Sequence, residues 1–393
     1  VISLRHAVSL GVALRERTKD LLLPALPVVP VEHLQVTKIE LSAFHSSVPF
    51  NPELYQRWSE GREQDTLDES VSPAVLKTDF EYEGLILNNG RILSDGITHV
   101  SIFGADNRLQ KDYSTHHQLK PLEVLKRAPA RVIAGTTLNL CAPLSTVQGN
   151  FAHWLTDALG RWILLEDCAT ESVQIDQFLI PPNKSAFRES LRVLGVADDR
   201  MVELSLHEAM EFERLVCVSR PRGYSSNVVP GWLIEGYRTR LGSFMSEPAA
   251  ANQRLYISRK DAGSRKFRQE DTLVAELEQR GFKSVEMSSL GLREKAELFS
   301  QATDVIGLAG AGMMSVMFSP PDTRVVELYP SNFLSYMFAT ISAALGHEHH
   351  TYIFKNNSKK RWLHQGSGGE FDLDLKDFLS SLDSWLEDAP QKQ

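Results

Sequence analysis

The clearest periodicity in the chain begins at Asn150. Phe151, Trp154, Leu155, Ala158, Leu159, Trp162 and Ile163 recur close to a 3.6-residue period, which predicts a helix with two broad apolar faces. Asn150 stands at the N-cap position, where its side-chain oxygen can take up N–H groups of the first turn. In the C-terminal half, short apolar runs alternate with amphipathic stretches. Strands are predicted over 254–258, 283–287, 304–308, 324–328 and 350–354, and helices over 269–280, 291–301, 311–318 and 332–345. This alternation implies a parallel, doubly wound sheet in an α/β fold.

Upstream the pattern is less regular but still α/β. Strand-like runs at 84–88, 98–103 and 131–134 are divided by the turn signals Asn89-Gly90 and Asp95-Gly96. A strand at 173–180, a helix at 184–194, a strand at 214–218 and a helix at 229–244 follow. The stretch Pro248 to Asn252 reads as a hinge, and 373–386 as a last amphipathic helix. The expected division is an extension over 1–75, an α/β domain over 76–245, and a Rossmann-like domain over 246–393. In the extension, Arg5, Arg15, Arg17 and Lys19 precede Pro24, Pro27 and Pro30. A solvated basic face and a membrane-surface helix both fit that pattern, and the polar, acidic stretch 59–72 reads as a loop.

Composition narrows the field. The 393 residues are 42% hydrophobic and 23% charged, the profile of a globular protein of ordinary domains. A net charge of −8 argues against nucleic acid as the main partner. Three dispersed cysteines, Cys141, Cys168 and Cys217, supply neither a disulfide framework nor a zinc site, and a reducing, cytoplasmic setting is expected. No apolar run is long enough to span a membrane; peripheral contact through the N-terminal segment stays open. Because the chain starts at Val1, removal of an upstream anchor or signal also stays open.

Two constellations carry candidate chemistry. His153 and Asp157, four residues apart, share one helical face, and Arg161 continues the stripe. Such a stripe on a buried helix is either a stabilising structural arrangement or a site. The second constellation is the run from Val305 to Ser315, a strand entering the glycine-rich turn Gly310-Ala311-Gly312 and then a helix. Backbone N–H groups there can approach an anion, with the Ser315 hydroxyl in the first turn. The spacing is neither the dinucleotide fingerprint nor a Walker loop. Arg254, Arg259, Lys260, Arg265, Lys266 and Arg268 crowd one strand end and its loop, a local reversal of sign in an acidic protein. With the glycine-rich turn they suggest a pyrophosphate site that needs no metal. Asp372 and Asp374, and the trio His347, His349 and His350, are weighed as metal sites and set aside.

These pieces together resemble glycosyltransferase family 61, which includes plant xylan arabinosyl- and xylosyltransferases, animal O-linked N-acetylglucosaminyltransferases and many bacterial polysaccharide enzymes. The family's Asn-x-x-His-x-x-x-Asp helix is matched by Asn150, His153 and Asp157, and its Tyr-Ile-x-Arg strand by Tyr256, Ile257 and Arg259. The glycine-rich turn and the strand ending in Glu are matched by Gly310 to Gly312 and by Val325 to Leu328. Gly90 to Ile92 and 100–114 look like the family's N-terminal β region, so coverage runs from about Phe80 to Leu386. Ala309 stands where many members carry His, and Ser315 where they carry Asn, which implies a different set of donor contacts there.

The resemblance implies a GT-B fold, two Rossmann-like domains facing across a cleft. It also implies inverting, metal-independent transfer from a nucleotide sugar, expected to be UDP-linked, to a glycan or polysaccharide hydroxyl, with no further cofactor. His153 or Asp157 is then the candidate base. Arg259, Lys260 and Arg265, with Gly310, Ala311, Gly312 and Ser315, would hold the diphosphate, and Glu327 would accept from the ribose. Asn150 and Arg161 support the helix. A non-catalytic binding module of the same fold, and a nucleotide-sugar epimerase or hydrolase, are the alternatives.

Overall fold

The computed structural model describes residues 36–39, 82–94, 100–106, 108–110, 113–114, 129–141, 149–169, 171–182, 184–205, 209–222, 228–263, 265–330, 337–354 and 370–387. Most of the predicted N-terminal extension, including its basic and proline-rich stretches, and the Asp95-Gly96 turn lie outside these residues. The described residues fall into two compact units. The first takes in 36–39, 82–184 and 197–220, and the second 185–196 and 221–387.

The first unit is built on a seven-stranded mixed sheet. Its strands are β1 (Val36–Ile39), β2 (Gly84–Ser94), β3 (Val100–Phe103), β4 (Pro129–Asn139), β5 (Gln177–Ile180), β6 (Met201–Glu203) and β7 (Ala209–Val218), in the order β1-β2-β7-β4-β5-β6 with β3 beside β2. β4 to β7 are parallel to their neighbours in that group, whereas β2 runs antiparallel to β7, β1 and β3. The core contains Leu87, Ile92, Ile102, Phe212 and Leu215.

Asn89-Gly90 does not turn the chain as predicted: β2 continues through it, paired to β7 on both sides. Asn89 takes a left-handed conformation (φ 52°), which asparagine tolerates, and the strand recovers at once. Gly90 is there for space, since a Cβ would come within 2.9 Å of the Leu87 Cβ and 3.1 Å of the Leu215 Cβ.

The main sheet of the second unit is wholly parallel. In chain order its strands are β8 (Gln253–Ser258), β10 (Phe282–Glu286), β11 (Ala302–Leu308), β12 (Arg324–Pro330) and β13 (Glu348–Phe354), arranged β10-β8-β11-β12-β13. β9 (Lys266–Phe267) and β14 (Glu370–Phe371) form a separate parallel pair. Relative to the chain, the main order is second-first-third-fourth-fifth, one of the two common doubly wound arrangements. β11 and β12 are almost continuous apolar runs, buried along nearly their whole length, as strands covered on both faces must be.

After α1, described below, the helices are α2 (Ser185–Val193), α3 (Gly231–Leu241), α4 (Glu270–Gln279), α5 (Leu292–Phe299), α6 (Met337–Leu345) and α7 (Leu375–Glu387). Leu273 and Leu277 of α4 and Phe378 and Leu382 of α7 pack with Tyr256, Ile306 and Val326 of the sheet. The segment Ala311–Phe318, predicted as a helix, is a 3₁₀ helix, and Pro248–Ala250, in the predicted hinge, forms a 3₁₀ turn within the second unit. No described helix is long and apolar enough to cross a membrane.

Candidate functional site

In the first unit, the chain re-enters the described residues at Gly149, downstream of the carboxyl end of β4. That is the end at which parallel α/β sheets present ligands. The long helix α1 then runs in three pieces: α-helical over Phe151–His153, π-helical over Trp154–Leu159, and α-helical again over Gly160–Cys168. Asn150 caps it as predicted, its Oδ1 accepting from the N–H groups of Ala152 (3.0 Å) and His153 (3.4 Å). The π stretch corrects the prediction of a uniform α-helix. Such wide turns cluster at functional sites, and this one begins immediately after His153 and contains Asp157.

His153 Nδ1 lies 2.6 Å from Asp157 Oδ2, with the aspartate side chain 4% exposed and the imidazole 15%. Donation from Nδ1–H to the carboxylate sets the tautomer and leaves Nε2 as the basic nitrogen. A buried carboxylate behind an imidazole also stabilises the imidazolium that forms when a proton is taken. Arg161, one turn on, is buried and donates from Nη1 to the carbonyl of Asn139 (3.4 Å) at the end of β4. Burial lowers its pKa, while the nearby Cys217, Asp157 and Cys141 act the other way.

In the second unit, the connection from β8 leaves toward β10 and that from β11 toward β12, on opposite sides. The gap between β8 and β11 is therefore the topological switch point, where doubly wound sheets bind ligands. Arg259 follows β8 and the Gly310 turn follows β11, so the fold brings these two distant segments together. Gly310 has extended backbone (φ 174°), yet a Cβ there would lie 2.5 Å from Arg259 Nη1. Arg259 Nε donates to the carbonyl of Arg265 (3.2 Å), and Arg265 Nη1 donates to the carbonyl of Ala309 (2.8 Å). Gly312 also sits tightly, its missing Cβ 2.9 Å from both Ile257 and Met287. Beyond Gly310 the 3₁₀ helix presents the N–H groups of Ala311 and Gly312 at its first turn, while Ser315 lies buried further in.

Burial lowers the pKa of both arginines. For Arg265 the effect reaches about 10, with the neighbouring Arg259 charge as its second cause. The Arg259 charge thus weighs on Arg265, while Asp261 and Glu270 act against the effect of burial at Arg259.

The other members of the basic cluster are engaged elsewhere. Lys260 Nζ pairs with Asp271 (2.6 Å), Arg254 with Asp304 (3.3 Å), and Arg268 with Asp372 (2.8 Å) and Glu370 (3.2 Å). Lys266 Nζ donates to the carbonyl of Lys260 (2.8 Å).

Residues 151–326, which span α1, the β8 strand end and the glycine-rich turn, match the family described as Glycosyltransferase 61. The chain carries a glycosyltransferase family 61 domain over this segment. No curated protein matches it. That domain makes the protein a glycosyltransferase, with a nucleotide-sugar donor and a glycan acceptor as its general substrate classes, and the binding-module and epimerase alternatives are not favoured.

In this glycosyltransferase Glu327 lies one residue beyond the matched segment, inside β12 and fully buried. Its Oε2 is 3.4 Å from His349 Nε2, and burial raises its pKa against the opposing effect of His349. The structure thus encloses Glu327 in the core beside His349. Asp374, weighed as a metal ligand, accepts from the N–H of Asp377 (3.1 Å) at the start of α7, and Asp372 is held by Arg268. Glu270, which the sequence reading passed over, accepts hydrogen bonds at the end of β8 and is taken up below.

Proposed function

We propose that the enzyme transfers a sugar from a nucleotide-sugar donor, UDP-linked in this reading, to a hydroxyl of a glycan or polysaccharide. The transfer proceeds with inversion at the anomeric carbon and without a catalytic metal ion. The observation that carries the proposal is the His153–Asp157 pair: a buried carboxylate 2.6 Å from an imidazole is the arrangement of a general base with its orienting group.

His153 Nε2 takes the proton of the acceptor hydroxyl as its oxygen attacks the anomeric carbon. The bond from that carbon to the diphosphate oxygen breaks, and the diphosphate leaves with the electron pair. Arg259 and Arg265 stabilise the growing negative charge together with the N–H groups of Ala311 and Gly312, the task a divalent cation performs elsewhere. Lys260 can join them by exchanging Asp271 for phosphate, and Gly310 provides the room for Arg259. A cytoplasmic setting belongs to the same reading, supported by three buried cysteines, none of them in a disulfide.

The test is the configuration of the first-formed product, followed by NMR with the nucleotide sugar that a donor panel selects. An inverted anomer is expected; a retained one would overturn the single-displacement scheme.

A further inference from the structure

Glu270 is the first residue of α4, and an acid there is ordinary because it complements the helix dipole. Its surroundings are not ordinary. The next residue, Asp271, is exposed and meets Lys260, whereas Glu270 is 4% exposed, and among the described residues no cation is paired with it. Its Oε1 instead accepts from the Tyr256 hydroxyl (3.2 Å), the Ser258 hydroxyl (2.8 Å) and the Arg259 N–H (2.7 Å). The Ser258 oxygen in turn accepts from the Lys260 N–H (3.2 Å). A single carboxylate oxygen therefore gathers the last turn of β8, the turn from which Arg259 departs toward Gly310. Burying a carboxylate is costly unless its hydrogen bonds are made, and all three donors here come from one short segment. Changing Glu270 would release that segment as a unit.

From this arrangement we infer that Glu270 is a positioning residue for diphosphate binding: it fixes the end of β8 so that the Arg259 guanidinium lies against the glycine-rich turn. The inference rests on the proposed donor site. It also assigns Glu270 a second effect, because its negative charge opposes an anion bound at Arg259. Geometry and charge can be separated by substitution. Glu270→Ala removes both. Glu270→Gln keeps an acceptor oxygen and removes only the charge.

The test is calorimetric binding of inorganic pyrophosphate to the full chain, comparing wild type, Glu270→Ala, Glu270→Gln, Arg259→Ala and the double variant Glu270→Ala/Arg259→Ala. Affinity should fall about tenfold in Glu270→Ala and in Arg259→Ala, with no further fall in the double variant, because coupled residues are not additive. Glu270→Gln should bind pyrophosphate at least as tightly as wild type, and it decides the matter should Glu270→Ala fail to fold. A purely structural role would lower the melting temperature of Glu270→Ala and leave affinity per folded molecule unchanged, which would overturn the inference. So would additive losses in the double variant, or Glu270→Gln binding as weakly as Arg259→Ala. Should Arg259→Ala itself bind like wild type, the donor-site reading fails; should only Glu270→Ala do so, the failure belongs to the inference alone.

Discussion

Gly310 separates two uses of glycine. Its backbone is extended, so any residue could adopt it, but an added Cβ would displace the Arg259 guanidinium, the flexible end of a long side chain. Gly346 is the converse: it has φ +76° and nothing within 4 Å of an added Cβ. Gly310→Ala should therefore leave stability nearly intact while raising the donor KM about tenfold, and Gly346→Ala should cost about 1 kcal/mol of stability and leave KM alone. Urea unfolding beside steady-state kinetics checks both halves. At this scale the sequence was partly legible. Asn150, His153 and Asp157 announced their contacts, because residues three and four apart on a helix must be neighbours. The basic cluster was not so legible. Of six cations only Arg259 and Arg265 converge on the glycine-rich turn. The acids that claim Arg254 and Arg268, Asp304 and the Glu370–Asp372 pair, lie far along the chain, and sequence proximity could not reveal them.

Elements buried on both faces were the easiest to read. The central strands of the second sheet, β8, β11 and β12, are largely buried, and all five strands of that sheet appear where predicted to within a few residues. The short strands β6, β9 and β14 carry too few residues to show a period and were missed. The π turn in α1 was invisible too, since an apolar stripe tolerates one extra residue per turn when the whole segment is buried. β2 was misread for a different reason. Asn-Gly is the strongest hairpin signal, but cross-strand pairing on both sides of Asn89 overrode it. The element holds a left-handed asparagine at its midpoint, so Asn89→Val should destabilise the first unit by about 1–2 kcal/mol, and Asn89→Gly should be close to neutral. A urea midpoint equal to wild type in Asn89→Val would show that the strand does not hold that conformation.

For the molecule as a whole, the two constellations follow strands of different sheets. His153 and Asp157 follow the carboxyl end of β4 in a mixed sheet, and Arg259 and Gly310 flank the switch point of a parallel one. Strand–helix alternation made the second sheet foreseeable, but the antiparallel half of the first was not, because β2 was cut short and β1 lay in a stretch without clear pattern. The family match spans both segments, and the proposed function asks proton removal of the first and diphosphate departure of the second. The most direct test is the transfer rate of wild type and His153→Ala in the presence of a chelator, with the donor chosen from a nucleotide-sugar panel. Full wild-type activity in chelator and a loss of at least about 100-fold in the variant are predicted. Transfer by His153→Ala within about threefold of wild type, or wild-type activity abolished by the chelator, would contradict the account.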